Sequence, residues 1–263
     1  KTSTFGRLFM YADVVTSTQT ILSSHFMEFK DFPNGLLFSA NRQVSGIGRS
    51  GNVWVSPNGC LMFSLQLVHS NFATVMFLQY LMALSIVAAV RNRPQYKDLN
   101  LRIKWPNDIY SNNRKIGGIL VSSNYWDGQF HIIIGCGINL WNEKPSTCIN
   151  TVIAEHNVHT KSNSNSQVEL PFISREELLA WIMNTFEDNY AVFVKSGFQP
   201  FENLYYRYWL HSDHSVRLQT QDEGVVDVVI KGITEGGFLK TLNPKNGKMY
   251  ELHPDGNSFD LMQ

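Results

Sequence analysis

The rhythm of apolar and polar positions changes several times along this chain. The runs LLFSANRQV, CLMFSLQLV, LRIKW, IGGILVSS and FHIIIGCGINL alternate or are continuously apolar, and each predicts a strand. Asp127-Gly128 lies between the last two and predicts a hairpin turn. Two segments predict helices. The first, Phe72 to Val90, carries no charge and approaches the length of about 20 residues that crosses a bilayer. Thr74, Gln79 and Ser85 interrupt it and the charged RNRPQYKD follows at once, so it is expected to be a helix buried on most faces inside the domain. The second opens at Ser174, three residues before Glu177, in the pattern of a capping box. Leu178, Leu179, Ile182, Met183, Phe186, Tyr190 and Phe193 then mark one apolar face, and Gly197 ends it.

Such strands with helices on one side predict an α+β fold with a mixed or antiparallel sheet. The polar run HTKSNSNSQ, His159 to Gln167, has no apolar period and predicts an exposed loop or insertion. After YYRYWLHS the texture changes. SVRLQT, GVVDVVIKGI, GFLKTL and KMYELH are short strand patterns separated by Gly, Asn and Asp, which predict a small C-terminal β-barrel. The expected division is residues 1–210 for the main domain and 211–263 for the barrel.

Composition narrows this only slightly. With 263 residues and 43% hydrophobic content the chain can build one large core, or a core with a small appendage. Net charge is +0, which gives the whole chain no bias toward nucleic acid or anionic membrane. The neutrality hides a basic stretch: between Arg42 and Lys115 nine Lys or Arg face only Asp98 and Asp108, which suggests a local anion site. Three cysteines, Cys60, Cys136 and Cys148, without C-x-x-C spacing favour buried thiols in a reducing compartment. The eight histidines are scattered without pairing, and no His/Cys cluster has metal spacing. The first residue is Lys1, so a fragment is expected, with any targeting peptide preceding it.

GIGRSG, Gly46 to Gly51, spells the dinucleotide fingerprint G-x-G-x-x-G. That motif requires a helix at its end and an acid about 20 residues on. Here NVWVSPNG follows, and no Asp or Glu occurs from Phe32 to Lys97, so the dinucleotide reading is rejected. What remains is a strand–loop–strand whose glycines free backbone N–H groups for an anion, with Arg49 as a forked donor. A glycine-rich turn that holds nothing stays open beside that reading.

Other clusters point the same way. In KWPND, Trp105-Pro106 restricts the backbone, so Lys104, Asn107 and Asp108 leave a strand end in a defined direction. The bland alternative is a tryptophan beside a turn whose Asn and Asp bond their own backbone. Lys115 opens a strand whose Gly117 and Gly118 leave space beside it, and GCGIN, Gly135 to Asn139, ends the next strand with two more bare positions. Adjacent strands of this kind form the floor of a flat cavity. Ser17, Thr18 and Gln19 offer neutral donors and acceptors, or else a helix N-cap. The pieces describe anion holders (Arg49, Lys115), polar readers (Ser17, Thr18, Gln43), glycine floors and aromatic walls (Trp54, Trp105), with no Ser-His-Asp arrangement.

With those residues assembled, the chain resembles the biotin protein ligases, and most closely the catalytic region of animal holocarboxylase synthetases. The resemblance is carried by TSTQ, RQVSGIGRSGNVWVSPNGC, LRIKWPNDIY, KIGGILV, GCGIN and YYRYW…HPDGNSFD, in the expected order over nearly the whole chain. It implies a class II synthetase-like catalytic domain with an SH3-like C-terminal barrel. It also implies ATP-dependent activation of biotin as biotinyl-5′-AMP, followed by transfer to a lysine of the biotin carboxyl carrier domains of carboxylases. By resemblance, Ser17, Thr18, Gln43, Gly46, Lys115, Gly118 and Gly135 contact biotin. Gly48, Arg49, Gly51, Trp54, Lys104, Asn107 and Asn139 lie on the nucleotide side. Lys115, Arg49 and Asp108 carry the chemistry; Asp108 either orients the incoming amine or holds Mg²⁺. ATP, biotin and Mg²⁺ are the implied ligands, nucleic acid and membrane are not partners, and a homodimer stays open. The expected location is cytoplasmic, with a mitochondrial form as the alternative. Ile47 departs from the family, whose loop commonly has a basic residue there; either a partner such as Arg42 or Arg114 substitutes for it, or the adenylate is held less tightly. The rival readings are a lipoate ligase or octanoyl transferase, and a non-catalytic biotin-binding scaffold.

Overall fold

The computed structural model describes residues 2–142, 144–163, 169–220 and 222–254, with the side chains of 162 and 163 left out. Eight strands form the main sheet: β1 (Phe9–Val15), β2 (Leu37–Ile47), β3 (Val53–Ser56), β4 (Cys60–His69), β5 (Arg102–Lys104), β6 (Asp108–Ser111), β7 (Arg114–Trp126) and β8 (Gln129–Asn139). Their order is β1-β2-β4-β8-β7-β6-β5, with β3 folded back on β2. Every pairing in it is antiparallel except β1 with β2, so the sheet is mixed, as expected. β7 and β8 form a hairpin closed by Asp127 (φ 49°) and Gly128 (φ 77°), both left-handed as a two-residue primed turn demands.

The helices are α1 (Thr18–Ser24), α2 (Phe26–Phe29), α3 (Leu78–Arg91), α4 (Ile149–Asn163), α5 (Arg175–Ser196) and α6 (Glu202–Tyr208). The uncharged segment begins its α-helix at Leu78 rather than Phe72, after a single 3₁₀ turn, and Leu78 and Tyr80 to Val90 are all buried. No helix among the described residues is long and apolar enough to cross a membrane. The capping box of α5 forms with both bonds, Ser174 Oγ accepting from the Glu177 N–H and the Glu177 side chain accepting from the Ser174 N–H. The polar run at 159–167 divides: His159 to Asn163 continue α4, and 164–167 fall outside the described residues.

Alternation along β4 and β8 sorts side chains onto two faces. Phe63, Leu65, Ile132, Ile134, Cys136 and Ile138 point into a large core that includes α3 and α5. On the other face Ile133 joins Leu22, Leu36 and Phe38 in a small separate cluster beneath α1 and α2. The expectation of helices on one side is therefore corrected: α1 and α2 cover part of the opposite face. That face carries Ser64, Gly135 and Gly137, which alternate with the core positions, and it is where the site lies.

The C-terminal strands β9 (Ser215–Thr220), β10 (Gly224–Ile233), β11 (Leu239–Leu242) and β12 (Met249–Leu252) fall where the sequence placed them. They form an antiparallel sheet in the order β12-β11-β10-β9. Among the described residues its two outer strands are not paired, so it is an open four-stranded sheet and not the closed barrel that was expected. Val216, Leu218, Val228, Ile230, Leu239 and Leu252 bury their side chains in the same core as the main sheet. This small sheet is thereby fixed against the main domain.

Candidate active site

The GIGRSG loop is a tight reversal between two strands. Gly46 pairs with Trp54 and Ile47 with Val53. The tip is closed by the Gly48 N–H donating to Asn52 O at 2.7 Å and the Asn52 N–H donating to Arg49 O at 3.0 Å. Ser50 is left-handed (φ 54°, ψ 32°), as is Gly51 (φ 79°), which lets the chain reverse around Arg49. A single 3₁₀ turn at Arg49–Gly51 leads into β3 and not into an α-helix, which agrees with rejection of the dinucleotide reading.

The loop borders a cavity of about 590 Å³. Of the residues singled out in the sequence, Ser17, Thr18, Gln43, Gly48, Arg49, Trp54, Lys104, Asn107, Asp108, Lys115, Gly118 and Gly135 line it. Gly46, Gly51 and Asn139 do not. Gly46 lies inside the β2–β3 pairing, where a Cβ would collide with Trp54 O. Asn139 Oδ1 accepts from Asn142 Nδ2 at 2.8 Å and from Cys60 Sγ at 3.4 Å, at the far end of β8. The expected substitutes for a cation at Ile47 also lie elsewhere: Arg114 pairs with Glu155 at 2.8 Å, and Arg42 is exposed on β2. Only Arg49, Lys104 and Lys115 of the nine basic residues border the cavity, with Asp108 as the one acid among its described lining residues. Arg91 and Arg93 instead stack on Tyr208 and Trp181.

One end of the cavity is neutral and closely hydrogen-bonded. Ser17 caps α1, its Oγ accepting from the Thr20 N–H at 3.3 Å, so the helix-cap reading holds for that side chain. Thr18 donates to Gln43 Oε1 from its N–H at 2.8 Å and from its Oγ1 at 3.1 Å, while Gln43 Nε2 donates to Ser56 Oγ at 3.2 Å. Gln19 Nε2 donates to Ser122 Oγ at 2.8 Å and Ile133 O at 3.1 Å. Its Oε1 accepts from Ser64 Oγ at 3.2 Å. Ser64, fully buried in β4, received no assignment from the sequence; a hydroxyl interrupting an apolar strand run was the available signal.

The other end is charged. Lys115 Nζ lies 2.7 Å from Asp108 Oδ1 and 5.7 Å from the Trp54 ring centroid. Arg49 Nη1 donates to Asn107 Oδ1 at 3.2 Å, and Asn107 Nδ2 donates to Ile119 O at 2.6 Å, which ties the loop to the KWPND turn and to β7. The floor joins the two ends. Gly118 and Gly137 are direct partners across β7 and β8, and a Cβ on Gly118 would stand 3.2 Å from Asp108 Oδ1. A Cβ on Gly135 would collide with Gln19 Oε1. Gly137, unassigned in the sequence beyond its GCGIN motif, lies directly under Trp54. Behind the turn, Trp105 is 1% exposed and its Nε1–H donates to Tyr80 Oη at 3.0 Å; burial pushes the Tyr80 hydroxyl up to about 12.

Thiol chemistry finds no place here. Cys60, Cys136 and Cys148 are free and buried. Desolvation, with the Cys148 thiol adding to it, pushes Cys60 up to about 12, and burial raises the Cys136 thiol well above its ordinary range. Thiols held protonated are poor nucleophiles.

Comparison with known proteins follows the same line. The sequence model of the Biotin/lipoate A/B protein ligase family matches residues 11–139. Biotin–protein ligase 2 of Arabidopsis thaliana is 39% identical over 268 aligned positions, spanning 100% of this chain and 77% of that protein. The biotin–protein ligase of Homo sapiens is 38% identical over 100% of this chain and 36% of its own length, so kinship to the animal enzyme is no stronger than to the plant one. Among solved structures, biotin protein ligase from Aquifex aeolicus in complex with biotin and ATP shares the fold with a TM-score of 0.68. It does so at 22% identity, over 97% of this chain and 98% of that one. That from Leishmania major in complex with biotinyl-5-AMP has a TM-score of 0.59 at 19% identity, over 94% and 99% of the two chains. On sequence, at 39% identity over its whole length to a relative of which it spans 77%, this chain belongs to the biotin protein ligases.

Proposed function

We propose that this protein is an ATP-dependent biotin–protein ligase that forms biotinyl-5′-AMP and transfers the biotinyl group to a lysine of carboxylase carrier domains. The observation that carries the reading is one cavity with a hydrogen-bonded neutral end, a bare glycine floor and a cationic end. A ureido ring presents one carbonyl acceptor and two N–H donors, which Ser17, Thr18 and Gln43 match, and a flat bicyclic ring needs a floor without side chains, which Gly118 and Gly135 supply. The nucleotide then takes the loop side, with Arg49 toward phosphate, Trp54 beside the adenine, and Lys104 and Asn107 at the turn. Gly46 and Gly51 shape the loop rather than touch a ligand, and Asn139 lies beyond the cavity at the end of β8, bonded to Asn142 and Cys60.

The chemistry follows from charge. In the first step a biotin carboxylate oxygen attacks the α-phosphorus of ATP, a P–O bond forms, and the bond to pyrophosphate breaks. Negative charge grows on the equatorial oxygens, so cations fixed at Lys115 and Arg49 stabilise the transition state more than the ground state. In the second step a neutral lysine amine attacks the acyl carbon, AMP leaves with the bonding pair, the amine gives up one proton to solvent, and an amide forms. Asp108, bonded to Lys115, holds that ammonium against the floor and is placed to accept a hydrogen bond from the incoming amine. Among the described residues no cluster of three His, Cys, Asp or Glu could cage a metal. Mg²⁺ usually arrives on triphosphate oxygens with one or two carboxylates; Asp108 is the residue that would hold it, and the ion would shield phosphate charge.

Residues 211–263 are read as the second domain, SH3-like in strand succession although its sheet is open among the described residues; four consecutive antiparallel strands with a bulge at Ile230–Gly232 support this. Three unpaired thiols support a reducing compartment such as the cytoplasm. Incubation with ATP, labelled biotin and a carrier domain tests the function. Label on the acceptor lysine, absent with lipoate, is the expected result, and an unlabelled acceptor overturns it in favour of a scaffold.

A further inference from the structure

His211 lies in the link between α6 and β9 and is 2% exposed. The link runs beside β5: Trp209 bridges Ile103 in parallel, and the Leu210 N–H donates to Ile103 O at 2.9 Å. The next donor along the main chain is the Trp105 N–H, one residue before Pro106. It finds no backbone partner there, and His211 Nε2 accepts it at 2.9 Å. An accepting Nε2 requires a neutral ring with its proton on Nδ1. The imidazole thus completes the ladder where the chain turns off the sheet, and the residues immediately around that peptide are Lys104, Asn107 and Asp108.

We propose that His211 is a positioning residue for adenylate formation, holding the Lys104–Trp105 peptide by accepting its N–H so that Lys104, Asn107 and Asp108 meet the nucleotide in register. A second clamp from the same C-terminal region supports this. Tyr80 Oη donates to Gly237 O at 2.5 Å, in the β10–β11 turn, while it accepts from the Trp105 indole. Residues after position 208 therefore grip both the backbone and the side chain of the tryptophan on which the turn is built. The titratable or charged groups that act on His211 are His214, whose ring centroid is 6.5 Å away, and Lys104. Both disfavour a charged imidazole. Trp209 lies edge-on to it at 5.5 Å. The acceptor is thus kept in its working form across the range in which an exposed histidine would titrate. None of these residues lies at the neutral end of the cavity, so the effect falls on the phosphate chemistry and not on biotin capture.

This inference rests on the biotin ligase reading, and the test separates the two. Biotin-dependent ATP–pyrophosphate exchange is measured for the whole chain and for His211→Leu and His211→Gln. Leucine fills space but accepts nothing, and a buried N–H left without an acceptor is expected to lower kcat about tenfold, with the KM for biotin within twofold. Glutamine presents an oxygen in place of Nε2 and is expected to restore kcat to within about threefold of the parent, the range left by a preserved acceptor. In parallel, hydrogen exchange at the Trp105 amide reads the contact without activity: it accelerates in His211→Leu and stays slow in His211→Gln. Unchanged kcat in folded His211→Leu, or equal losses in both variants, overturns the proposal, as does unfolding of both. If the parent chain shows no exchange activity, the ligase reading fails, and amide exchange decides the His211 contact alone.

Discussion

Trp54 lies so closely over Gly137 that a Cβ built on that glycine would stand 2.5 Å from the indole Cε2 and Nε1. The indole Nε1 is buried with no hydrogen-bond partner among the described residues. The strand backbone is paired on both edges, to β4 and β7, and cannot retreat, so a methyl group must displace the ring. Gly137→Ala is therefore expected to push Trp54 outward, raising the KM for ATP at least about tenfold while leaving that for biotin nearly unchanged. Overpacking of this kind costs roughly 1–3 kcal/mol of stability. Steady-state kinetics with each substrate varied in turn, alongside denaturant unfolding, checks both parts.

The Lys115–Asp108 pair separates catalysis from stability. The side chains are 39% and 20% exposed, so the pair itself contributes only about 0–1 kcal/mol to folding. Lys115→Ala is expected to cut biotin-dependent pyrophosphate exchange by about 10²–10³ while the unfolding midpoint barely moves. Retained activity removes Lys115 from the chemistry. Asp108→Asn keeps the shape but loses the charge; a smaller loss in exchange than in transfer to the acceptor is expected if its main partner is the incoming amine.

How far the sequence spoke for itself depends on how local each signal is. The glycine floor was legible because Gly118 and Gly137 sit in strand runs where any side chain is the norm, and the α5 cap because Ser174 and Glu177 form it between themselves. The four C-terminal strands were legible through their turn residues. Other elements had no such mark. β1 exposes Phe9, Tyr11 and Val14, so apolar residues occupy its outer as well as its inner positions and the sequence shows no polar alternation, and its parallel pairing with β2 is set by contacts rather than by a turn. α4 carries a nearly even spread of polar and apolar residues, which left it without a periodic signal, and only its last residues enter the polar run. Closure of the barrel was inferred from strand spacing, but spacing does not dictate whether the outer strands meet. The basic stretch misled for a related reason: Arg91 and Arg93 are close in sequence to the site residues yet lie on a different side of the sheet, stacked on aromatic rings.

At the start of the chain one carboxylate does the work of a small clamp. Glu187 on α5 accepts from the backbone N–H groups of Ser3, Thr4 and Phe5, and from Ser3 Oγ. Burial opposes the charged form, but the bonds from Ser3, Phe5 and Thr4 outweigh it and hold the carboxyl below its ordinary range. Glu187→Ala leaves those donors to solvent, and since the site is largely exposed, a loss of about 1 kcal/mol is expected. The sharper signal is local: hydrogen exchange at Ser3 to Phe5 should accelerate without change in the amides of β8. Uniform acceleration across the chain would mean a global role instead.

Stability should fall on mild acidification, and the sign follows from two histidines. Burial, then His214 and Lys104, drive His211 down to about 3, and burial outweighs a raising backbone contact at Asn71 to lower His69 as well. Unfolded, each titrates near 6.5. Between about pH 6.5 and 3 the unfolded chain therefore binds the His211 proton that the native chain refuses, so unfolding becomes easier as pH drops. A single such group contributes a slope of about 1.4 kcal/mol per pH unit through that window and none above it. His69, with Nδ1 3.1 Å from Tyr190 Oη and Nε2 2.8 Å from Thr74 Oγ1, adds to it in the same direction. Denaturant unfolding at pH 7.5, 6.0 and 5.0 measures the slope, and His211→Gln should remove the larger part of it. A slope that survives in His211→Gln and disappears in a His69 variant would assign the effect to the other ring.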